Sequence, residues 1–274
     1  PALKQEARLR IFTGLAPFVR GLNINLTVEP FTNLKVRQAI AYAIDREAVV
    51  KALTGGLGKP AYQLFINNSP AHDPGLDGVY KYNPAKAKQL LAEAGFPNGL
   101  TFKSIIGGTA TSYVKFGELL QAQLKASGIN MDLKLVNQAD TIPMLYRNGP
   151  NHHGTAASAP IGNGADARTT DLVLRNTFLK EGFTNPGGVE QPGIRDLINK
   201  AAAAADADTA ASYYKQLNKM IVENLYAVIP VYQEPAVGAM WDYVGGIRRG
   251  FTDTDTNPDF LRGVYVTQGK VAAP

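Results

Sequence analysis

The feature that most constrains the fold is a helical hydrophobic pattern that ends in a carboxylate and, later, two glycines. Apolar residues spaced three and four apart lie at Val36, Ala39, Ile40, Ala43 and Ile44. This spacing is typical of an amphipathic helix, whose apolar face must pack against other elements. Asp45 can cap a second short helix, and Gly55 with Gly56 supplies the left-handed turn that ends it. The segment predicts two helices that meet at Asp45, the first capped by Asn33 or by Thr32.

The chain after this segment alternates between helical and extended patterns, which predicts a mixed α/β fold. Asn83 and Pro84 open a helix that Gly95 ends. The next elements are predicted to be a strand at 100–106, a helix at 113–126 and a strand at 129–135. Their order indicates a βαβ unit, in which the two strands are parallel.

Shorter patterns of the same kind predict the remaining elements. These are a strand at 22–28, a surface loop at 62–81, helices at 140–147 and 193–205, a helix capped by Asp206 or Asp208, and paired strands at 225–232 and 237–243. Pro230 cannot donate to a ladder of hydrogen bonds, so its strand is expected at a sheet edge or to end there.

Composition excludes several classes of function. The chain has no cysteine, which rules out disulfides, thiol nucleophiles and cysteine-based metal sites. No apolar run approaches the length of a membrane span. The net charge of +5 is spread along the chain without a basic run, which argues against nucleic-acid binding. The opening residues lack the apolar stretch of a signal peptide, which taken alone favours a cytoplasmic protein.

The acidic and histidine-containing segments do not complete a metal or catalytic motif. The loop at 253–259 alternates like a calcium loop, but Pro258 and Val264 stand where that loop needs Gly and Glu. His152 and His153 are adjacent, so their side chains diverge, and no carboxylate sits at ligand spacing. No serine has the setting of a nucleophile elbow. The sequence therefore predicts no catalysis, no cofactor and no bound metal.

The segment at 148–170 is the best candidate for a functional site. It is small, polar and Gly-rich, and it shows no periodicity. A stretch of this length without secondary structure is usually functional or disordered. It is expected to hold a binding site or, in the alternative interpretation, the active site of a stand-alone α/β enzyme.

Three blocks of sequence resemble the extracellular solute-binding proteins of family five, which serve oligopeptide, dipeptide and nickel ABC transporters. The blocks are VRQAIAYAIDRE with the following GLGKPA, YNPAKAKQLLAEAGFPNG, and YYKQLNKMIVENLYAVIPVY. The resemblance implies a two-lobed periplasmic-binding-protein-like fold, of which this chain supplies the second lobe. Residues 25–245 would form the ligand-binding lobe, a mixed sheet with helices on its faces. Residues 1–24 and 246–274 would be remnants of the crossings to a missing first lobe.

The resemblance also implies ligand contacts within the 148–170 segment. In peptide-binding relatives an acidic residue at the cleft pairs with the ligand's α-ammonium, and Asp166 matches it. Arg168 offers a cation for a carboxylate or phosphate, and Ser158 and Asn163 complete the expected contacts. Two alternatives stay open, a turn or helix-capping role for Asp166 and a surface position for Arg168.

The implied function is capture rather than catalysis. A peptide, an opine or another small polar solute would bind between the lobes and pass to ABC permease subunits in the membrane. The implied location is extracytoplasmic, in the periplasm or on the outer face of the membrane, with a lipid anchor at the missing N-terminus. In this interpretation the helix pair identifies the fold, and Arg37, Asp45 and Arg46 serve in capping and surface pairing.

Overall fold

The computed structural model describes residues 8–66, 69–107, 111–137, 139–140, 155–157, 160–161, 167–185, 187–245 and 265–266. Its helices are α1 (Leu34–Tyr42), α2 (Arg46–Thr54), α3 (Pro84–Glu93), α4 (Thr111–Ala126), α5 (Ala167–Phe178), α6 (Ile194–Ala202) and α7 (Ala207–Asn224). Its strands are β1 (Leu9–Asn23), β2 (Lys59–Pro60), β3 (Leu100–Gly107), β4 (Ile129–Val136), β5 (Thr155–Ala157), β6 (Pro160–Ile161), β7 (Val228–Trp241), β8 (Val244–Gly245) and β9 (Tyr265–Val266).

The helices begin where the sequence places polar capping residues. A side-chain oxygen accepts a hydrogen bond from a first-turn backbone N–H in four helices, with the caps Asn33, Asp45, Asn83 and Asp206. These bonds satisfy donors that have no partner within the helix. Gly55 ends α2 with a φ of +61°, in the left-handed region that glycine tolerates best. The predicted helix pair is confirmed, including the bend at Asp45.

One mixed sheet of seven strands forms the centre of the described structure. Its order is β2–β7–β1–β5–β3–β4, and β6 also pairs with β1. β3 is parallel to both β4 and β5, while β1 is antiparallel to β5, β6 and β7. α4 connects β3 to β4, which confirms the predicted βαβ unit and the mixed α/β class.

The two long strands differ from the sequence-based expectation. β1 begins at Leu9 and ends at Asn23, so the strand predicted at 22–28 was placed too late. The strands predicted at 225–232 and 237–243 are parts of one strand, β7, and they do not pair with each other. β7 instead pairs with β1 from Leu9↔Trp241 to Asn23↔Val228. The hydrophobic pattern of either strand is local, so it carries no information about a partner at the other end of the chain.

Pro230 lies where the β1–β7 ladder changes register. Arg20 pairs with Tyr232 and Gly21 pairs with Pro230, so Val231 is passed over. The missing N–H of a proline is tolerated at such an irregularity. Gly21 is required opposite it, because a Cβ atom there would lie 2.4 Å from the carbonyl oxygen of Ile229.

The two larger apolar cores of the described residues lie on opposite faces of the sheet. The first is built with residues of α1, α2, α3 and α4, and the second with residues of α5, α6 and α7. Ile229 belongs to the first core and its neighbour Val228 to the second, as expected when successive side chains of a strand point to opposite faces.

The stretch at 62–81 is irregular and partly exposed, as its composition predicts, but several of its residues are buried against the protein. Leu64, Phe65 and Ile66 are at most 4% exposed. The buried amide of Gln63 donates to the Asp73 carbonyl oxygen at 2.9 Å and to Asp77 Oδ1 at 2.7 Å. The Gln63 side chain thereby connects the start of this stretch to residues 73–77. Composition rich in Gly and Pro does not indicate such a contact.

Candidate functional site

The carboxyl edge of the parallel strands is where open α/β sheets place their ligands. β3, β4 and β5 end at this edge, and β6 lies beside it, paired with Val19 and Arg20 of β1. Both β5 and β6 belong to the 148–170 segment, which was expected to lack secondary structure. That segment therefore enters the sheet between β1 and β3 and continues into α5.

The predicted ligand contacts belong to this segment. Arg168 lies in the first turn of α5. Ser158, Asn163 and Asp166 lie outside the described residues, and all four contacts remain predictions. Three other predictions also lie outside the described residues. They are the helix at 140–147, except for residue 140, the adjacent histidines at 152–153 and the acidic loop at 253–259.

An ion pair that the sequence did not single out lies at the same edge. Nε and Nη2 of Arg20 donate to Oε2 of Glu234 at 3.1 and 2.5 Å. The two side chains are 11% and 28% exposed. The guanidinium carbon of Arg20 lies 4.9 Å from the ring centre of Tyr113, in the first turn of α4. Arg20 is thus held between a carboxylate and an aromatic face, an arrangement that orients its remaining donors.

The backbone around this pair is irregular and braced by a buried amide. The β1–β7 ladder shifts register between Leu15 and Val19. Within this interval the Ala16 carbonyl oxygen accepts a hydrogen bond from Nε2 of Gln233 at 2.9 Å. Gln233 is 3% exposed and directly precedes Glu234 in β7. A buried side chain therefore replaces part of the missing ladder and fixes the strand from which Glu234 projects.

Tyr232 lies beneath the pair as the cross-strand neighbour of Arg20. Burial and the nearby charge of Glu234 raise the pKa of the Tyr232 phenol to about 12. Its ring contacts Phe116 edge to face, with ring centres 5.4 Å apart. Tyr232 stays protonated at physiological pH and joins the ion pair to the first apolar core.

Arg46 is a structural residue, and its predicted role in surface pairing was wrong. It is 2% exposed. Its Nε donates to the carbonyl oxygens of Ala61 and Pro230, both at 3.0 Å, and Nη1 donates to those of Ala41 and Tyr80 at 3.0 and 2.9 Å. Burial lowers the pKa of the guanidinium to about 10, so it remains charged at neutral pH. One side chain joins the end of α1 to β7 and to both ends of the packed 62–81 stretch.

Arg37 is also buried, at the C-terminal end of α7. Its Nε and Nη2 donate to the Asn224 carbonyl oxygen at 3.2 and 3.0 Å, and Nη1 donates to that of Phe31 at 2.6 Å. The hydroxyl of Tyr80 donates to the neighbouring Val222 carbonyl oxygen at 3.2 Å. A cation at the last carbonyls of a helix is favoured by the helix dipole. Burial lowers the pKa of the Arg37 guanidinium, and its described partners are carbonyl oxygens.

Other charged side chains form a surface cluster between α5 and α6. Arg195 donates to Glu181 at 2.8 and 2.7 Å and to Glu190 at 2.8 and 2.5 Å. Hydrogen bonds from Arg195 lower the pKa of Glu181 to about 2. Within the described ranges, no three carboxylate or histidine side chains converge as a metal site requires. Nor does any helix in those ranges have the length and apolar character needed to cross a membrane.

Sequence comparison relates the chain to known binding proteins. Heme-binding protein A of Haemophilus influenzae is 29% identical over 258 residues, which cover 90% of this chain and 45% of that protein. The glutathione-binding protein GsiB of Pectobacterium atrosepticum is 32% identical over 227 residues, covering 80% of this chain and 43% of that protein. The chain therefore spans less than half the length of these two relatives.

Solved structures share the fold. HbpA2 from Haemophilus parasuis matches with a TM-score of 0.80 and 24% identity, over 97% of this chain and 51% of that one. The oligopeptide-binding protein AppA from Bacillus subtilis, in complex with a nonapeptide, matches with a TM-score of 0.79 and 21% identity, over 97% and 54%. These are two-lobed periplasmic binding proteins, and the present chain covers about half of each.

The family model for the middle region of bacterial extracellular solute-binding proteins of family 5 matches residues 1–185 of the 274-residue chain. This match contains the first two of the three sequence blocks on which the expected resemblance depended. Together with the relatives and the fold, it shows that the chain belongs to the bacterial extracellular solute-binding proteins of family 5.

Proposed function

We propose that the chain is the second lobe of a longer solute-binding protein of an ABC importer. The complete protein captures a peptide, an opine or another small polar solute in a cleft between two lobes and delivers it to a membrane permease. The observation that carries this proposal is the outer half of the β1–β7 ribbon, which extends beyond the sheet.

The ribbon has the properties of a connection to a further domain. Residues 9–15 pair with 235–241 and, in the described structure, with no third strand. Val237 is 49% exposed and Trp241 is 43% exposed in this outer half. A two-stranded ribbon is marginally stable alone, and large exposed apolar side chains mark a surface that a partner covers. A first lobe packed against residues 9–15 and 235–241 satisfies both requirements.

The same ribbon supports a closing motion. Its ladder is irregular between Leu15 and Val19, at the boundary between the outer half and the sheet. Hinges are a few residues at the ends of elements that absorb a change in backbone angles. Ligand shifts such a protein to the closed state only by binding that state more tightly. The cleft therefore needs contacts from both lobes, and this lobe supplies one side of it.

In this proposal residues 25–245 form the ligand-binding lobe, and 1–24 with 246–274 carry the crossings. The second half of β1 contributes to the sheet of the lobe as well. The ligand contacts are Asp166, Arg168, Ser158 and Asn163, with Asp166 facing an ammonium of the solute. Support for this placement comes from β6, since the segment that carries these residues pairs with β1 at Arg20.

The proposed protein acts outside the cytoplasm, as members of the family do, and its lipid anchor belongs to the missing N-terminal part. Its partners are the solute, the permease subunits and the first lobe. No described side chains favour the alternative of a stand-alone α/β enzyme with its site in the 148–170 segment.

A thermal-shift screen of the complete gene product tests this function. The ligands are di- and oligopeptides, opines, sugars and nickel chelates. A true ligand at one hundred times its Kd stabilises the folded protein by about 2.7 kcal/mol. Stabilisation by one class, together with an upstream coding region for another lobe, supports the proposal. A gene that begins at Pro1, or a complete protein that no class stabilises, contradicts it.

A further inference from the structure

We propose that Arg20 and Glu234 form a charged recognition pair in which Arg20 binds a carboxylate of the solute. This inference rests on the proposed function and specifies the ligand class, an acid or a zwitterion with a free carboxylate. It uses described residues alone and does not depend on the roles of Asp166 or Arg168.

The first support is the position of the pair. Arg20 has β6 on one side and β7 on the other, through Pro160 and Tyr232. It therefore lies at the carboxyl edge of the sheet, beside the segment that crosses this edge. Glu234 directly precedes Pro235, where the outer half of the ribbon begins. A solute held between this lobe and a domain on the ribbon passes next to both charges.

The second support is hydrogen-bonding capacity that the pair leaves unused. Nε and Nη2 of Arg20 converge on one oxygen, Oε2 of Glu234. Nη1 of Arg20 and Oε1 of Glu234 have no partner among the described residues. Both atoms are open to solvent, because neither belongs to the buried side-chain atoms that lack a hydrogen-bond partner. A guanidinium carries five N–H groups, so donors remain for an incoming oxygen anion.

The third support is preorganisation. The side chain of Arg20 is only 11% exposed to solvent, and the ring of Tyr113 lies against its guanidinium. A carboxylate that reaches Nη1 forms a charge-assisted hydrogen bond without any need to order the side chain first. Oε1 of Glu234 can accept from an ammonium of the same solute. Since Glu234 repels anions that lack a cationic group, the pair favours zwitterions over dianions.

The competing explanation is an ion pair that only holds β1 to β7. It predicts that loss of Arg20 lowers the melting temperature and leaves the choice between ligands unchanged. The recognition role predicts a change in that choice, measured at a temperature where every variant is folded.

The experiment uses the complete protein and matched probes. Trialanine is compared with trialanine amide, and glutathione with its diethyl ester, by isothermal titration calorimetry. The variants are Arg20→Gln, Arg20→Lys and Glu234→Gln. Arg195→Gln is the control, because it removes an arginine from another Arg–Glu pair, the one with Glu190.

We expect the wild-type protein to bind at least one free acid ten- to a hundredfold more tightly than the amide or ester that lacks the carboxylate, as a charge-assisted hydrogen bond allows. Arg20→Gln should abolish this preference, Arg20→Lys should keep part of it, and Arg195→Gln should keep all of it. Equal binding of the acid and its amide or ester by wild type, or an unchanged preference in Arg20→Gln, overturns the recognition role and leaves the proposed function intact. Failure of the wild-type protein to bind these probes or any class in the thermal-shift screen overturns both.

Discussion

Replacement of Arg46 by methionine should destabilise the lobe more than any surface substitution. Methionine keeps much of the length of the side chain but removes donors to the carbonyl oxygens of Ala61, Ala41, Tyr80 and Pro230. A buried acceptor left without a partner costs about 1–3 kcal/mol. Removal of the buried cation also removes its desolvation penalty, which offsets part of this cost. We expect a net loss of about 3–5 kcal/mol, a large share of the 5–15 kcal/mol typical of a domain.

Urea unfolding of the 274-residue chain, followed by circular dichroism, measures this loss. The midpoint should fall with little change in the slope m, because the area exposed on unfolding stays nearly constant. Arg46→Lys should give an intermediate loss, since one ammonium cannot reach carbonyl oxygens on several segments. The control is Arg175→Met, which removes a partly exposed i,i+4 pair with Asp171 worth about 0.3–0.5 kcal/mol. A loss below about 1 kcal/mol for Arg46→Met would refute the reasoning, because the carbonyl oxygens would then be satisfied without the guanidinium.

Three further predictions concern the ribbon, the surface cluster and the ligand. Gly21→Ala should destabilise the chain by about 1–3 kcal/mol in urea unfolding, because its Cβ meets a backbone oxygen at 2.4 Å, while the exposed Thr13→Ala in the same strand should have little effect. The pKa of Glu181, followed by NMR, should be about 2 against its ordinary 4.5. Because the pKa of Glu181 is lowered in the folded state, the stabilisation from its ionised carboxylate is present above pH 4.5 and is lost as the pH falls towards 2. Arg195→Gln should return the pKa to its ordinary range, and a normal pKa in wild type would contradict the hydrogen-bonded geometry. Asp166→Asn in the complete protein should weaken an amine-bearing ligand about tenfold or more by calorimetry, and unchanged affinity would remove Asp166 from the site.

Most helices were predictable because their signals lie within a few residues of each other, but α5 was not predicted. Asn83, Pro84 and Gly95 mark both ends of α3 in the sequence, and the structure uses all three. Asp45 caps α2 for the same local reason. The burial of strand side chains was less predictable, since it depends on which other strands and helices pack against them. β4 alternates as expected at Ile129 and Met131, but Leu135 is 57% exposed at its end.

Interactions between distant segments were beyond the sequence pattern. Arg20 and Glu234 are 214 positions apart, and nothing near either residue indicates the other. Arg46 contacts Pro230, which is 184 positions away. The residues next to Arg46 in the sequence do not indicate this contact, so they suggested a surface cation. Composition indicated the 148–170 segment as a candidate site, but the pairing of β5 with β3 and of β6 with β1 could be seen only in the sheet.

Three arginines of the described structure divide by what their donors bind, which is backbone carbonyl oxygens for Arg37 and Arg46 and a side-chain carboxylate for Arg20. Arg37 and Arg46 are enclosed by carbonyl oxygens that belong to the backbone, so a change at either residue disturbs segments and cannot be compensated by a solute. Arg20 is bound through one carboxylate oxygen and keeps donors open at the edge of the sheet. We therefore expect substitutions at Arg37 or Arg46 to lower the free energy of unfolding, and the proposed recognition role predicts that substitutions at Arg20 change which solutes bind.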